Sequence, residues 1–219
     1  RLEFAPLGVD VKMFNGLLER REGTLPAEKE ILRFAQNDKQ NSLILNVGSL
    51  EPVKDQAALL QAFKRVHDQL PNTRLIIAGE GNLRGRVHSL ANELNLAQFV
   101  EFRGEVLHHL LPDLYRCAAI FVQSSLHESQ GMAVLEAAAC GLPIVGTRVG
   151  ALSDLAPQAA RATSIGHVDE LAAAMIEVLT RPDLAVETSR AARSMVERDY
   201  TLDRSVDRFM SLYRSMPKA

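Results

Sequence analysis

The sequence predicts an α/β protein built on a doubly wound parallel sheet of about six strands, with further helices at its C-terminal end. Three observations carry that prediction. Six short runs, most of them rich in apolar residues, at residues 42–47, 74–78, 99–102, 119–122, 143–146 and 162–165, have the length of strands and are too short for helices. Longer segments with helical spacing stand between most of them, at residues 56–70, up to about 94, 107–117 and 132–140. Gly, Pro, Asn or Asp punctuates the junctions, as at Gly48, Gly79 and the Gly141-Leu-Pro143 stop.

In chain order, Pro6-Leu-Gly-Val-Asp10 reads as a turn capped by Asp10, with Phe14 beyond it. Residues 15–41 are charged and contain Gly23 and Pro26, so they read as a surface insertion with a short helix at 27–35. The strand at 42–47 leads through Gly48-Ser-Leu-Glu-Pro-Val-Lys54-Asp into a helix. The strand at 74–78 leads into Gly79-Glu-Gly81-Asn-Leu-Arg84-Gly85. This is a weak dinucleotide fingerprint, and Glu101 stands about where a ribose acceptor would be. It follows the second strand of the domain instead of opening the first βαβ unit, which weighs against that reading. After 99–102 comes the exit loop Arg103-Gly-Glu-Val106, then His108 and His109 at the start of a helix. Adjacent histidines cannot share a helix face, so both read as solvent or cap residues. Past 143–146, residues 147–155 read as a turn, and 168–179, 183–198 and 202–216 read as helices. The last carries Val206, Phe209, Met210 and Tyr213 on one face.

Composition bounds the function. At 219 residues the chain suffices for one sizeable α/β domain and is too short for two full ones. A net charge of −2 argues against a dedicated nucleic-acid binder, which would usually carry a basic excess. Cys117 and Cys140 lie in apolar surroundings without metal-ligand spacing, so they read as core residues in a reduced, cytoplasmic compartment. No apolar run reaches about 18 residues, so no membrane span is expected. The chain opens at Arg1 without Met and reads as a fragment or an excised domain.

The chemistry concentrates in residues 124–147. A strand ends in a polar turn that closes at Ser129-Gln130-Gly131, and an Ala-rich helix starts at Met132. The unpaired amides of a helix's first turn, with its dipole, favour an anion at the carboxyl ends of the strands, and Gly131 permits close approach. Phosphate is the expected occupant. Glu128 and Glu136 flank the place at different heights and lack the spacing of a metal pair. As acceptors only, they suit sugar hydroxyls. Lys54, in the loop after the first strand, brings a mobile positive charge suited to phosphate.

Glu128-Ser-Gln-Gly-Met-Ala-Val-Leu-Glu136, followed by Ala-Ala-Ala-Cys-Gly-Leu-Pro-Ile-Val, resembles the glutamate, seven residues, glutamate motif of the retaining glycosyltransferases of family 4, which have the two-domain GT-B fold. The resemblance extends over most of the chain. It implies that Glu136 binds the donor ribose, that Glu128 contacts the donor sugar, and that Ser129, Gln130, Gly131 and Met132 surround the donor. Lys54 matches the family's phosphate-binding lysine, while Ser49 stands where the family has arginine and Asp55 where it has glycine. Gly81 matches the Gly-Glu-Gly turn, and Gly104 and Val106 match the segment lying against the nucleobase. Leu7 replaces the Asn of the family's interdomain segment.

The implied organisation is an interdomain crossover at 1–14, the insertion at 15–41, a nucleotide-sugar-binding domain at 42–200 and a crossover helix at 201–219. The implied function is that of the donor-binding part of a hexosyltransferase, with Lys54 and Glu128 as catalytic residues and a nucleotide-diphosphate sugar as substrate. No cofactor or metal is required on this reading. The acceptor site, and any peripheral membrane contact, would lie on a separate N-terminal domain, without which the chain is expected to be inactive. The alternatives are a nucleotide-binding or regulatory module without turnover, an NAD(P)-dependent oxidoreductase domain, and a sugar-nucleotide epimerase.

Overall fold

The computed structural model describes residues 7–15 and 42–215. Six strands form one sheet: β1 (Ser42–Val47), β2 (Thr73–Ala78), β3 (Val100–Gly104), β4 (Ile120–Gln123), β5 (Ile144–Thr147) and β6 (Arg161–Thr163). Their order is β3-β2-β1-β4-β5-β6, and every neighbouring pair is parallel. The α/β class and the doubly wound sheet are therefore as expected, with strand ends within one or two residues of the sequence reading.

Nine α-helices lie among the described residues: α1 (Val11–Asn15), α2 (Gln56–Gln69), α3 (Arg84–Glu93), α4 (Leu111–Cys117), α5 (Met132–Ala139), α6 (Ala151–Leu155), α7 (Val168–Thr180), α8 (Pro182–Asp199) and α9 (Leu202–Ser215). Successive strand residues point to opposite faces of the sheet, and this divides the core in two. Ile44, Leu75, Ile77, Ile120, Val122 and Val145 pack with apolar residues of α2, α3 and α7. Leu45, Ile76, Phe121 and Ile144 pack on the other face with residues of α1, α4, α5, α6 and α8. Burial on both faces explains why the four inner strands are largely apolar without alternation, whereas the edge strands β3 and β6 are only partly buried and carry Glu101, Arg103 and Arg161.

This layering creates the crevice. The helix after β1 lies on one face and the helix after β4 on the other, while β1 and β4 are direct neighbours, with Ile44 opposite Ile120. The chain leaves their carboxyl ends in opposite directions, so an open sheet of this kind has its cleft there.

Residues 7–15 dock onto the domain. The Val9 amide donates to the Tyr200 carbonyl at 2.7 Å, and Val9 forms a parallel bridge with Thr201. A Cβ on Gly8 would fall 2.2 Å from the Thr201 carbonyl oxygen, so only glycine permits this approach. Asp10 accepts from the amides of Lys12 and Met13, as its capping role required, and Phe14 is buried against the α5 side of the core.

Four details differ from the sequence reading. Residues 147–155 contain α6, a short helix opened at Gly150 in a backbone conformation of φ 55°. The loop after β1 holds a 3-10 turn, Pro52–Lys54, closed by Asp55 in the left-handed region. The segment before α4 is a separate 3-10 turn, His108–Leu110. Pro112 lies in the first turn of α4, where its missing amide is tolerated, and this places the helix start later than expected. The thiols of Cys117 and Cys140 are free and half-buried at the edge of the core, not inside it. The insertion at 15–41, with its helix at 27–35, falls almost wholly outside the described residues.

Candidate functional site

A cavity of about 400 Å³ opens at the carboxyl ends of β1 and β4, with Lys54, Glu128, Gly131, Met132 and Glu136 in its wall. Ser129 and Gln130 also border it. The structure thus brings together in space two loops that are more than seventy positions apart in sequence.

The tip of α5 forms one side. Gly131 is its N-cap residue at φ 83° and ψ 63°, a left-handed conformation that a side chain would strain. No side chain caps the helix, and while the Val134 and Leu135 amides donate to the Gly131 carbonyl, those of Met132 and Ala133 have no acceptor among the described residues. They face the cavity wall that Gly131, Met132 and Ala133 contribute. A partial positive charge at this end makes the wall attractive to an anion.

Lys54 is delivered by the 3-10 turn, and the two loops are stitched together beneath it. Ser124 Oγ donates to the Lys54 carbonyl at 2.8 Å, and the Leu126 amide donates to the Val53 carbonyl at 2.8 Å. Lys54 Nζ lies 2.5 Å from Glu128 Oε1, and Ser125 Oγ donates to the same oxygen at 2.7 Å. The side chains that the resemblance assigns to phosphate and sugar therefore hold one another.

Glu136 sits on α5, one turn beyond Met132 and on the same side of the helix. It is buried, 6 % exposed, yet reaches the cavity wall. Its Oε2 accepts from the Tyr115 hydroxyl at 2.9 Å, and its Oε1 lies 3.1 Å from His108 Nε2. Burial, reinforced by the Glu136 charge, holds the Tyr115 phenol well above its usual range, so it stays protonated and donates. The reading of His108 as a solvent or cap residue is corrected here: though exposed, it touches the carboxylate.

Gln130 is engaged elsewhere. Its side-chain Oε1 accepts from the Leu7 amide at 2.7 Å, and its Nε2 donates to the Leu7 carbonyl. The glutamine thus clamps the 7–15 segment by its backbone, which explains why position 7 tolerates leucine.

The remaining sequence-based positions lie away from the cavity wall. Ser49 is exposed and its carbonyl accepts from Gln56 Nε2 at 2.8 Å. Gly81 packs on the neighbouring loop, where a Cβ would fall 2.5 Å from the Leu50 carbonyl oxygen. Gly104 adopts φ 69° and accepts from the Gly79 amide at 2.7 Å, while Val106 packs against the core. Gly79 and Gly81 thus serve close contact between loops, whereas a Cβ on Gly85 would meet no neighbour within 4 Å.

Among the wall residues that escaped sequence reasoning are Asn46, Gln56 and Gln123, which are 6 %, 1 % and 4 % exposed. Asn46 Oδ1, Gln56 Oε1 and Gln123 Nε2 have no protein partner. Buried polar atoms of this kind are costly unless something polar meets them, which suits a wall built for a hydroxyl-rich ligand. The signal was present in sequence, because Asn46 and Gln123 interrupt or end otherwise apolar strands.

A profile of the family described as "Glycosyl transferases group 1" matches residues 28–195. The chain belongs to this family. Among relatives, a GDP-mannose-dependent monoacylated alpha-(1-6)-phosphatidylinositol monomannoside mannosyltransferase of Corynebacterium glutamicum is 27 % identical over 99 % of this chain and 57 % of its own length. A D-inositol 3-phosphate glycosyltransferase of Thermomonospora curvata is 32 % identical over 94 % of this chain and 49 % of its own. The chain therefore spans about half the length of these curated relatives.

The fold of this group 1 chain is shared with solved structures. Anabaena Alr3699/HepE, crystallised with UDP and glucose, superposes with a TM-score of 0.81 at 19 % identity, over 95 % of this chain and 56 % of its own. Sucrose-phosphate synthase of Thermosynechococcus elongatus gives a TM-score of 0.80 at 25 % identity, over 97 % of this chain and 52 % of its own. Neither the family nor these relatives support the dinucleotide oxidoreductase reading. Among the described residues, no helix is long and apolar enough to cross a membrane.

Proposed function

We propose that this chain is the donor-binding part of a retaining glycosyltransferase that transfers a sugar from a nucleotide-diphosphate sugar. The observation that carries the proposal is the convergence of the uncapped α5 tip, Lys54, Glu128 and Glu136 on one cavity at the switch point between β1 and β4. A cation and free amides suit the diphosphate, and two carboxylates suit hydroxyls on the groups at either end of it.

In this mechanism the bond between the anomeric carbon and the diphosphate oxygen breaks while an acceptor hydroxyl attacks from the same face. The acceptor proton passes to the departing diphosphate. Negative charge grows on that leaving group, and Lys54 with the amides following Gly131 is placed to stabilise it. Losing one such preorganised donor commonly costs about 3 kcal/mol of barrier. Lys54 must first turn from Glu128 towards the diphosphate, which frees Glu128 for the sugar. The acceptor would be bound by a further domain, and transfer would need both.

Titration of the 219-residue chain with UDP, GDP, ADP and NADP tests the reading. A nucleoside diphosphate is expected to bind, and Glu136→Ala to weaken it. Tightest binding of NADP, indifferent to Glu136→Ala, would overturn the proposal.

A further inference from the structure

Two residues outside the cavity wall grip the carboxylate inside it. Tyr115, fully buried on α4, donates to Glu136 Oε2 at 2.9 Å. His108, on the turn before α4, places Nε2 3.1 Å from Oε1. The imidazole carries its hydrogen on Nε2 in this contact, since a carboxylate oxygen only accepts. Phe14, 1 % exposed, stands edge-on to both rings, at 5.5 Å from His108 and 6.0 Å from Tyr115. The rings are thus wedged from behind by α1, and the carboxylate in front of them has one contact on each oxygen.

An ionised carboxylate offers about four acceptor positions, two on each oxygen. With one on each oxygen already occupied, each oxygen has one left. Two acceptors side by side, held in a fixed plane, match two hydroxyls on adjacent carbons better than a single hydroxyl or a phosphate. We propose that Tyr115 and His108 are positioning residues that hold the Glu136 carboxylate so that its two remaining acceptor positions meet a vicinal diol, the 2′ and 3′ hydroxyls of the nucleotide. They make the site selective for ribonucleotides over dideoxynucleotides. The inference rests on the reading of the cavity as a nucleotide-sugar site with Glu136 on the ribose, and what it adds is the pair of residues that hold that carboxylate in place.

A hydrogen bond that merely satisfies a buried carboxylate would stabilise the fold without affecting this selectivity, so the decisive quantity is a ratio. The 219-residue chain is titrated with UDP and 2′,3′-dideoxy-UDP, or with the corresponding guanosine pair if GDP binds more tightly. Tyr115→Phe removes only the hydroxyl and is expected to weaken the ribonucleotide about tenfold while leaving the dideoxynucleotide within about twofold. His108→Ala, on an exposed side chain, is expected to show the same selective loss at about threefold, and His108→Gln, which retains a donor, to recover part of it. Should Tyr115→Phe fail to fold, the His108 pair carries the test. Equal weakening of both nucleotides, or an unchanged ratio in both the Tyr115 and His108 variants while Glu136→Ala abolishes it, overturns the positioning role alone. An unchanged ratio in Glu136→Ala overturns the diol reading and the positioning role with it.

Discussion

Lys54 Nζ and Glu128 Oε1 lie 2.5 Å apart, joining the loop after β1 to the loop after β4 in the wall of the cavity. Their side chains are 24 % and 11 % exposed, so the pair is largely removed from water. Lys54→Ala leaves Glu128 with Ser125 as its remaining side-chain donor and is expected to destabilise the chain by about 1–3 kcal/mol. Adding Glu128→Gln should return part of that loss, because the uncompensated charge is removed. Urea unfolding of the single and double variants measures both. If Lys54 also serves the diphosphate, Lys54→Ala weakens UDP or GDP about tenfold or more and the bare nucleoside much less. Equal losses would remove Lys54 from that role.

Gly150 and Gly131 are expected to respond differently to alanine. At Gly131 the nearest heavy atom to a new Cβ is Gln123 Oε1 at 3.4 Å, so the cost is mainly that of φ 83°, about 1–2 kcal/mol. At Gly150 a Cβ would fall 2.5 Å from the Gln130 carbonyl oxygen and 2.8 Å from Glu128 Cβ, at φ 55°. Gly150→Ala must therefore displace the loop that carries Glu128. Melting curves should rank Gly150→Ala as the less stable variant, with the greater loss of nucleoside diphosphate affinity.

Gln130→Ala should loosen the N-terminal segment more than it affects ligand. Both Leu7 backbone groups lose their side-chain partner, while the Val9 amide keeps its bond to Tyr200. Amide exchange in Val9–Asn15 is expected to accelerate, and nucleoside diphosphate affinity to stay within about threefold, roughly 0.7 kcal/mol. A collapse in affinity would mean that the glutamine leaves Leu7 to bind the donor.

Helix α9 presents Val206, Phe209, Met210 and Tyr213 to solvent, at 58 %, 50 %, 44 % and 73 % exposure. Replacing Phe209 and Tyr213 by glutamate should change the stability of the isolated chain by about 0.5 kcal/mol or less, since neither is packed. The same change should reduce any concentration-dependent association, read by light scattering. A large loss of stability would show that the stripe is covered in solution.

Burial raises the Cys140 thiol from 9.0 to about 12. The folded chain then holds a proton that the unfolded chain releases, so this contribution to stability is complete below the unfolded value and is lost as pH climbs towards about 12. Stability should fall less steeply between about pH 9 and pH 10.5 in Cys140→Ala than in the parent, by urea unfolding at each pH. Alkylation of Cys140 at neutral pH should be slow, because the thiolate is the reactive form.

Ile44, Leu75, Phe121 and Val145 announced their strands because parallel strands covered on both faces must be apolar throughout, and that is a local signal. Glu128, Gly131 and Glu136 were legible for a similar reason, lying within one turn and one helix. Asn46, Gln56 and Gln123 were harder to see, since a polar residue at a strand or helix end has many ordinary uses.

The sequence by itself determined the sheet, the helix tip and the acids around it, because period, turn chemistry and capping act over a few residues. Only the tertiary structure decided which groups those acids meet. Lys54 reaches Glu128 because β1 and β4 are neighbours, and Tyr115 and His108 reach Glu136 because α4 and α5 pack on the same face of the sheet. Such pairings depend on strand order and helix packing, which no local pattern encodes.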